Sequence, residues 1–270
     1  MQLEVRDARY PTCYYKRKGN GYPVVFLHGF GEDHRIWDTQ ISMEENFMCI
    51  YPDFPGCGLS TAFEGEWTIE GMADYVLAIL DQEGIQDAIV LGHSMGGYVA
   101  LALTDLYPNR VTALGLIHST AYADDAQKIE NRIKSIRLIE GNGKEVFLKA
   151  MIPNLYSEVS RERVPMEVQQ HLTKALEISS EVLIQYYKVM IIRPDRTMVL
   201  QHTKVPVLFV IGTDDAAVPY DHSIQQSSLP QIANVNVLQG IGHTSMNECP
   251  EQLLVILNKF CNDALNLKKM

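Results

Sequence analysis

Ser94 stands in Gly92-His93-Ser94-Met95-Gly96-Gly97, between the apolar run Ala88-Ile89-Val90-Leu91 and a helical pattern that begins near Met95. A serine hydroxyl is a weak nucleophile at neutral pH and attacks a carbonyl only with a base beside it. Histidine, with an ordinary pKa of about 6.5, can take that proton and return it to a leaving group. A carboxylate on the other ring nitrogen fixes the tautomer and stabilises the imidazolium. The pattern G-x-S-x-G is weak alone. Its place between a strand and a helix gives it meaning, because a serine on so sharp a turn needs small residues two before and two after it. The turn also aims the hydroxyl away from the sheet and sets a helix N-terminus beneath it, where developing negative charge is favoured.

Eight histidines compete for the role of base. His243 is the expected one: it lies in Gly240-Ile241-Gly242-His243, just after the run Val235-Asn236-Val237-Leu238, where a side chain can reach the strand ends. His93 is expected to point away from the base site, and His28 to support the loop that follows it. His118, at the end of a strand, is expected to be packed or hydrogen-bonded. No motif surrounds His34, His171, His202 or His222, which are expected at the surface. The acid is open between Asp214 and Asp215, since neighbours on a turn aim in different directions.

These residues need a scaffold, and the apolar runs supply one. Val24-Val25-Phe26-Leu27, Phe47-Met48-Cys49-Ile50-Tyr51, Ala88 to Leu91, Ala113-Leu114-Gly115-Leu116-Ile117, Val207-Leu208-Phe209-Val210-Ile211 and Val235 to Leu238 are short and nearly continuous. Such runs are what strands covered on both faces look like. Between them lie helical patterns: Ile69, Met72, Ala73, Val76, Ile79 and Leu80; Met95 to Leu106; and Leu253, Leu254, Ile256, Leu257 and Phe260. Strand alternating with helix predicts an α/β protein with a doubly wound, mostly parallel sheet. The front, Val5 to Lys16, reads as strand, with Pro11 turning it toward a hairpin or edge. From about Tyr122 to Arg193 only helical periodicity appears, with stripes such as Ile129, Ile133, Ile136 and Ile139, and Val168, Leu172 and Leu176. That insertion is too long for a plain connection and is expected to form a helical lid over the C-terminal edge of the sheet.

Taken in order, these segments resemble the α/β-hydrolase superfamily. Gly92 to Gly97 is similar to its nucleophile elbow, His28-Gly29-Phe30-Gly31 to its oxyanion loop, and Asp53-Phe54-Pro55-Gly56-Cys57-Gly58-Leu59-Ser60 to the turn after its fourth strand. Gly212 to Pro219 resembles its acid turn, and Gly242-His243 with Glu248-Cys249-Pro250-Glu251 its histidine segment. The resemblance covers most of the chain except the lid. It implies an eight-stranded sheet, and with the helical stretch read above the division becomes a core in 1–121 and 194–270 with a lid in 122–193. It also implies the order Ser94, Asp215, His243, since Asp215 stands three after Gly212 and four before Pro219 as the pattern requires. Asp214 would then cap the loop or face solvent. The oxyanion hole is expected from the backbone N–H groups of Phe30 and Met95. The Asp53–Ser60 turn is expected to be scaffold.

Composition narrows the partners. The chain of 270 residues is 46% hydrophobic and carries a formal charge of -10, spread along its length. Nucleic acid and anionic membranes are therefore not expected as partners. No run approaches the roughly 18 apolar residues of a spanning helix, and the charged start lacks a signal-peptide pattern. Five scattered cysteines form no C-x-x-C pair, which fits a reducing compartment; cytoplasmic is the expectation. There is no metal or cofactor motif, and none is expected. A monomer or homodimer acting on a small molecule is expected. The favoured function is a serine hydrolase of small to medium, moderately apolar carboxylic esters. Tyr156, Tyr186 and Met190 are its candidate substrate-binding residues, with Met151, Ile152, Leu155 and Tyr187 as further walls. Lactone or carbon–carbon bond hydrolysis would use the same machinery. A receptor-like ligand binder with a vestigial triad is the alternative of another class.

Overall fold

The computed structural model describes residues 2–4, 13–63 and 67–269. Among these described residues eight strands appear in chain order: β1 (Gln2–Glu4), β2 (Tyr14–Lys18), β3 (Tyr22–Leu27), β4 (Phe47–Pro52), β5 (Ala88–His93), β6 (Val111–Ile117), β7 (Val207–Gly212) and β8 (Ala233–Leu238). They form one sheet in the order β1-β2-β4-β3-β5-β6-β7-β8. β2 runs antiparallel to both of its neighbours, and every pairing from β4 to β8 is parallel. Each apolar run singled out above is a strand. Of the front segment, Tyr14–Lys18 is strand, while Val5 to Pro11 lies outside the described residues.

Alternation along the strands feeds two cores. Val25, Leu27 and Val90 point to one face and Val24, Phe26, Ile89 and Leu91 to the other. The first face is covered by α1 (Ile69–Gln82) and α2 (Met95–Leu106). Thr68 starts α1 by accepting the Gly71 N–H at its hydroxyl, a side-chain cap worth about 1 kcal/mol. The second face is covered by the 3-10 turns of His34–Glu45 and by the long C-terminal helix Pro250–Lys268. That helix buries Leu253, Leu257, Phe260, Cys261 and Ala264 at helical spacing, and each large apolar side chain so buried is worth about 1.5–3 kcal/mol.

Between β6 and β7 the chain is helical, as its periodicity predicts. The elements are α3 (Ala126–Asn142), α4 (Lys144–Met151), a 3-10 turn (Ile152–Leu155), α5 (Glu158–Arg163), α6 (Pro165–Ala175), α7 (Ser180–Ile192) and α8 (Thr197–His202). Phe147, Leu148, Ile152, Leu183, Tyr186 and Val189 join the same apolar cluster as α1 and α2, so the insertion shares the core beneath it. The approach is close at Gly56, where a Cβ would stand 2.5 Å from Val182 of α7 and where φ is +77°. The isoleucine stripe of α3 behaves differently from its sequence pattern. Only Ile139 is buried and Ile133 is exposed, because α3 turns its polar side toward a cavity instead. After β7 come α9 (Tyr220–Ser227), α10 (Ser245–Glu248) and the C-terminal helix α11 (Pro250–Lys268). Among the described residues no helix is long and apolar enough to cross a membrane.

Candidate active site

Ser94 joins β5 to α2 with φ 50° and ψ -116°, a region that a residue with a Cβ rarely enters. The backbone around it explains how that conformation is held. Ser94 N donates to Ile117 O at 2.9 Å, and Ser94 O accepts from Ser119 Oγ at 2.7 Å and from Gly97 N at 2.9 Å. The flanking glycines leave no room for alternatives: a Cβ on Gly92 would lie 2.4 Å from Gly96 C, and one on Gly96 would lie 2.4 Å from Leu27 O.

The strand ends bring the other two residues to this turn. Ser94 Oγ is 2.8 Å from His243 Nε2, and His243 Nδ1 is 2.8 Å from Asp215 Oδ2 and 3.0 Å from Oδ1. Asp215 Oδ1 also accepts the N–H groups of Ala217 and Val218 at 2.8 and 2.9 Å. Burial alone would raise the Asp215 carboxyl, but His243 and His118 outweigh it and hold it far below the ordinary carboxylate range. Asp214 is exposed and accepts from Thr213 Oγ1. His118, also at positive φ, stands 3.3 Å from Asp215 Oδ2, an ion-pair distance without hydrogen-bond alignment, and burial keeps its imidazole below the usual histidine range.

Phe30 follows β3 in the loop beside Ser94 and lines the cavity; Met95 is the first residue of α2, so its N–H has no acceptor within the helix. Among the described residues two sets of side chains have a spacing that could hold a cation: His118, Asp215 and His243; and Asp33, His34 and Asp53. In both sets the carboxylates already accept protein N–H groups. Asp215 does so as described, Asp53 takes the N–H groups of His34 and Leu59, and Asp33 caps Arg35. Carboxylates engaged in this way fit hydrogen-bonded scaffolds, and the Asp53–Ser60 turn is further closed by Ser60 Oγ donating to the Asp53 backbone carbonyl.

A second pair lies directly under the first. His93 Nδ1 is 2.9 Å from Glu32 Oε2, and His93 Nε2 is 2.8 Å from His243 O. A carboxylate and a carbonyl both accept, so both ring nitrogens donate and His93 is an imidazolium. Burial opposes that charge, but Glu32 overcomes it and raises the His93 pKa. Glu32 also accepts the Gly29 N–H at 2.7 Å, so one buried ion pair ties the loop that carries Phe30 to the loop that carries His243. Burial would raise the Glu32 carboxyl, yet the histidines bring it from 4.5 to about 2. Sequence reasoning missed Glu32; its signal was a carboxylate set in the Gly-rich loop directly after an apolar strand.

The pair makes a pH-dependent contribution to stability. Glu32, lowered on folding, contributes fully above its unfolded value of 4.5 and loses that contribution as pH falls through about 2. His93, raised on folding, contributes fully below its unfolded value of 6.5 and loses it as pH rises through the higher folded value. Glu32→Gln leaves the imidazolium without its partner, a loss of about 3–5 kcal/mol. Calorimetry should show a Tm lower by on the order of 10 °C near pH 6, with the gap to wild type closing as pH falls toward 2. A pH-independent difference would mean that the pair is not ionic.

The Ser94 hydroxyl and His243 open on a cavity of about 410 Å³. Phe30, Met151, Leu155, Tyr187 and Met190 form an apolar wall, with Phe30 stacked on Tyr187 at 4.4 Å. Of the three candidate substrate-binding residues, only Met190 is there. Tyr156 is buried with its hydroxyl between His171 Nδ1 (3.1 Å) and Asn247 Nδ2 (2.7 Å), and Tyr186 is buried with its hydroxyl donating to Pro55 O (2.6 Å). A buried phenol must satisfy its hydroxyl, and both find their partners inside the fold. His171, expected at the surface, is likewise buried, and burial takes its pKa down to about 4. His34 is half-buried, 2.7 Å from Asp53 Oδ1, whereas His202 and His222 are exposed as expected.

Comparison with known proteins gives the same architecture. The family model for the alpha/beta hydrolase fold matches residues 22–137. The chain is 25% identical over 254 residues to a protein of Azorhizobium caulinodans named for carbamate hydrolysis, covering 93% of this chain and 95% of that protein. It is also similar to a solved thermophilic esterase of Thermogutta terrifontis, with a TM-score of 0.91 and 26% identity, over 98% of this chain and 99% of that one. The enol-lactonase of Burkholderia xenovorans shares the fold, with a TM-score of 0.87 and 22% identity over 94% and 99% of the two chains.

Proposed function

We propose that the protein, which belongs to the α/β-hydrolase superfamily and is a hydrolase, cleaves carboxylic esters through an acyl-enzyme on Ser94. The observation that carries this reading is the hydrogen-bonded series from Ser94 Oγ through His243 to Asp215, set on a strained turn at the floor of a cavity. Ser94 Oγ attacks the carbonyl carbon while His243 Nε2 takes its proton. The oxyanion that forms lies against the Phe30 and Met95 N–H groups, each worth about 2.7–4 kcal/mol in this step. As the carbon–oxygen bond to the alcohol breaks, His243 returns the proton to the leaving oxygen. Water repeats the cycle with His243 as base and releases the acid and free Ser94. Asp215 holds the imidazole in the tautomer that presents a lone pair to Ser94.

The esterase and enol-lactonase neighbours, and the relative named for carbamate hydrolysis, support attack on an activated carbonyl. The apolar wall of Phe30, Met151, Leu155, Tyr187 and Met190 supports a small to medium, moderately apolar substrate. Five free cysteines, four of them buried, support our placing it in the cytoplasm. Initial rates of the wild type on p-nitrophenyl esters from acetate to palmitate test the reading. We expect an optimum at short to medium acyl chains, with palmitate about tenfold slower or worse. Folded protein with no turnover on any ester, but with turnover on a lactone, would replace the ester reading with ring opening by the same residues. Saturable ligand binding without any turnover would favour a receptor.

A further inference from the structure

One wall of this cavity is basic, and we propose that it is a carboxylate subsite: the natural substrate is an ester bearing an anionic group remote from the reacting carbonyl. This rests on the hydrolase reading above and names the class of substrate. The wall is α3, which presents Gln127, Lys128, Asn131, Arg132 and Ser135 to the cavity at helical spacing. Two cations on the inner side of a substrate cavity stand out in a chain whose formal charge is -10.

Local carboxylates do not balance them. Asp124, whose side chain is fully buried, faces three cations: Arg132 Nε at 2.5 Å, Arg193 Nη1 at 2.9 Å and Lys128 Nζ at 4.0 Å. Arg193 has a structural role. It donates to Met190 O and Tyr122 O, lies 3.9 Å from the centre of the Tyr98 ring, and is not part of the cavity wall. The two that do line the cavity keep unused donors. Among the described residues Arg132 Nη1 has no partner and Nη2 reaches Asp124 only at 3.4 Å, while Lys128 Nζ has the Ala217 carbonyl at 3.1 Å. The acids that share the lining are occupied: Glu32 is paired with His93, and Asp125 caps α3 by accepting the Lys128 N–H.

The chemistry selects the ligand. A wholly apolar ester would strip water from these donors and return nothing, which is costly for a charged group. A carboxylate accepts two parallel N–H bonds from a guanidinium and a third from an ammonium. The geometry spaces the two ends of such a substrate. The Arg132 guanidinium lies 5.6 Å from the centre of the Tyr187 ring, which stacks on Phe30 beside the reacting serine. The ester carbonyl then sits at Ser94, an aliphatic stretch crosses Tyr187, and the charge ends at Arg132 and Lys128.

Calorimetric titration of the inactive Ser94→Ala protein with monomethyl adipate and with methyl hexanoate tests the subsite apart from the chemistry. The two esters match in length and differ in one carboxylate. We expect the anion to bind at least about tenfold tighter, with the advantage shrinking in added salt. Lys128→Gln, at a side chain 31% exposed, and Arg132→Lys, which keeps the charge beside Asp124 but loses the fork, should each reduce the preference severalfold. Wild-type kcat/KM on the two esters reports the reaction separately. Anion preference without turnover keeps the subsite and overturns the ester reading. Turnover of both esters with equal binding, detectable binding of neither, or a preference untouched in both variants overturns the subsite.

Discussion

Ser94→Ala is expected to lower kcat/KM on p-nitrophenyl butyrate by about 10⁵- to 10⁶-fold, with Tm changed by only a few degrees. The two halves of that expectation have different causes. The chemical loss is large because no other hydroxyl occupies the end of the hydrogen-bonded series that begins at Asp215 and passes through His243 Nε2 at 2.8 Å. On the proposed mechanism, what survives is substrate binding and the oxyanion donors, worth about 10³–10⁴ over water in comparable sites. The stability is spared because the turn is held by its backbone: the bonds Ser94 N to Ile117 O and Ser119 Oγ to Ser94 O do not involve the deleted oxygen. Steady-state rates with matched thermal melts check both halves. A variant that kept more than about a tenth of wild-type activity would remove Ser94 from the chemistry.

The scaffold was legible in the sequence because a buried parallel strand permits little except apolar residues. Each run, from Val24–Leu27 to Val235–Leu238, is a strand in the structure. The turn at Ser94 was legible for a steric reason, since Gly92 and Gly96 face backbone atoms within 2.5 Å of where a Cβ would be. Other features were hidden by equivalences that sequence cannot break. An amphipathic helix whose polar side faces a cavity has the same pattern as one whose polar side faces bulk water, so α3 read as a packed isoleucine stripe although it lines the pocket with Lys128 and Arg132. Tyr156 and Tyr186 read as pocket walls because aromatic residues on a lid suit either a wall or a core. Their hydroxyl partners, His171 with Asn247 for one and Pro55 for the other, are far away in sequence and decide for the core. The Glu32–His93 pair spans 61 residues and belongs to no local pattern.

Asp215→Asn is the second large effect, and it separates the role of the acid from that of its charge. The carboxylate accepts three protein donors: the Ala217 and Val218 N–H groups at Oδ1 and the His243 ring at 2.8 Å on Oδ2. An asparagine that keeps its oxygen on the two backbone donors must turn its NH₂ toward His243 Nδ1. That nitrogen then has to accept, so the ring proton moves to Nε2 and points at Ser94 Oγ, where a lone pair is needed. Turnover should fall about 10⁴-fold, chiefly in kcat, because the apolar wall proposed to bind substrate is unchanged. Wild-type Asp215 lies far below the ordinary carboxylate range, so it stays ionised as pH falls and its own titration adds no step to the rate profile above about pH 4. Asp214→Asn is the matched control: its side chain is exposed and hydrogen-bonds only to Thr213 among the described residues, so rates within about twofold of wild type are expected. A loss below tenfold in Asp215→Asn would mean that His243 is oriented by something other than this carboxylate, and the hydrogen bond from His93 to its backbone carbonyl would be the next contact to break.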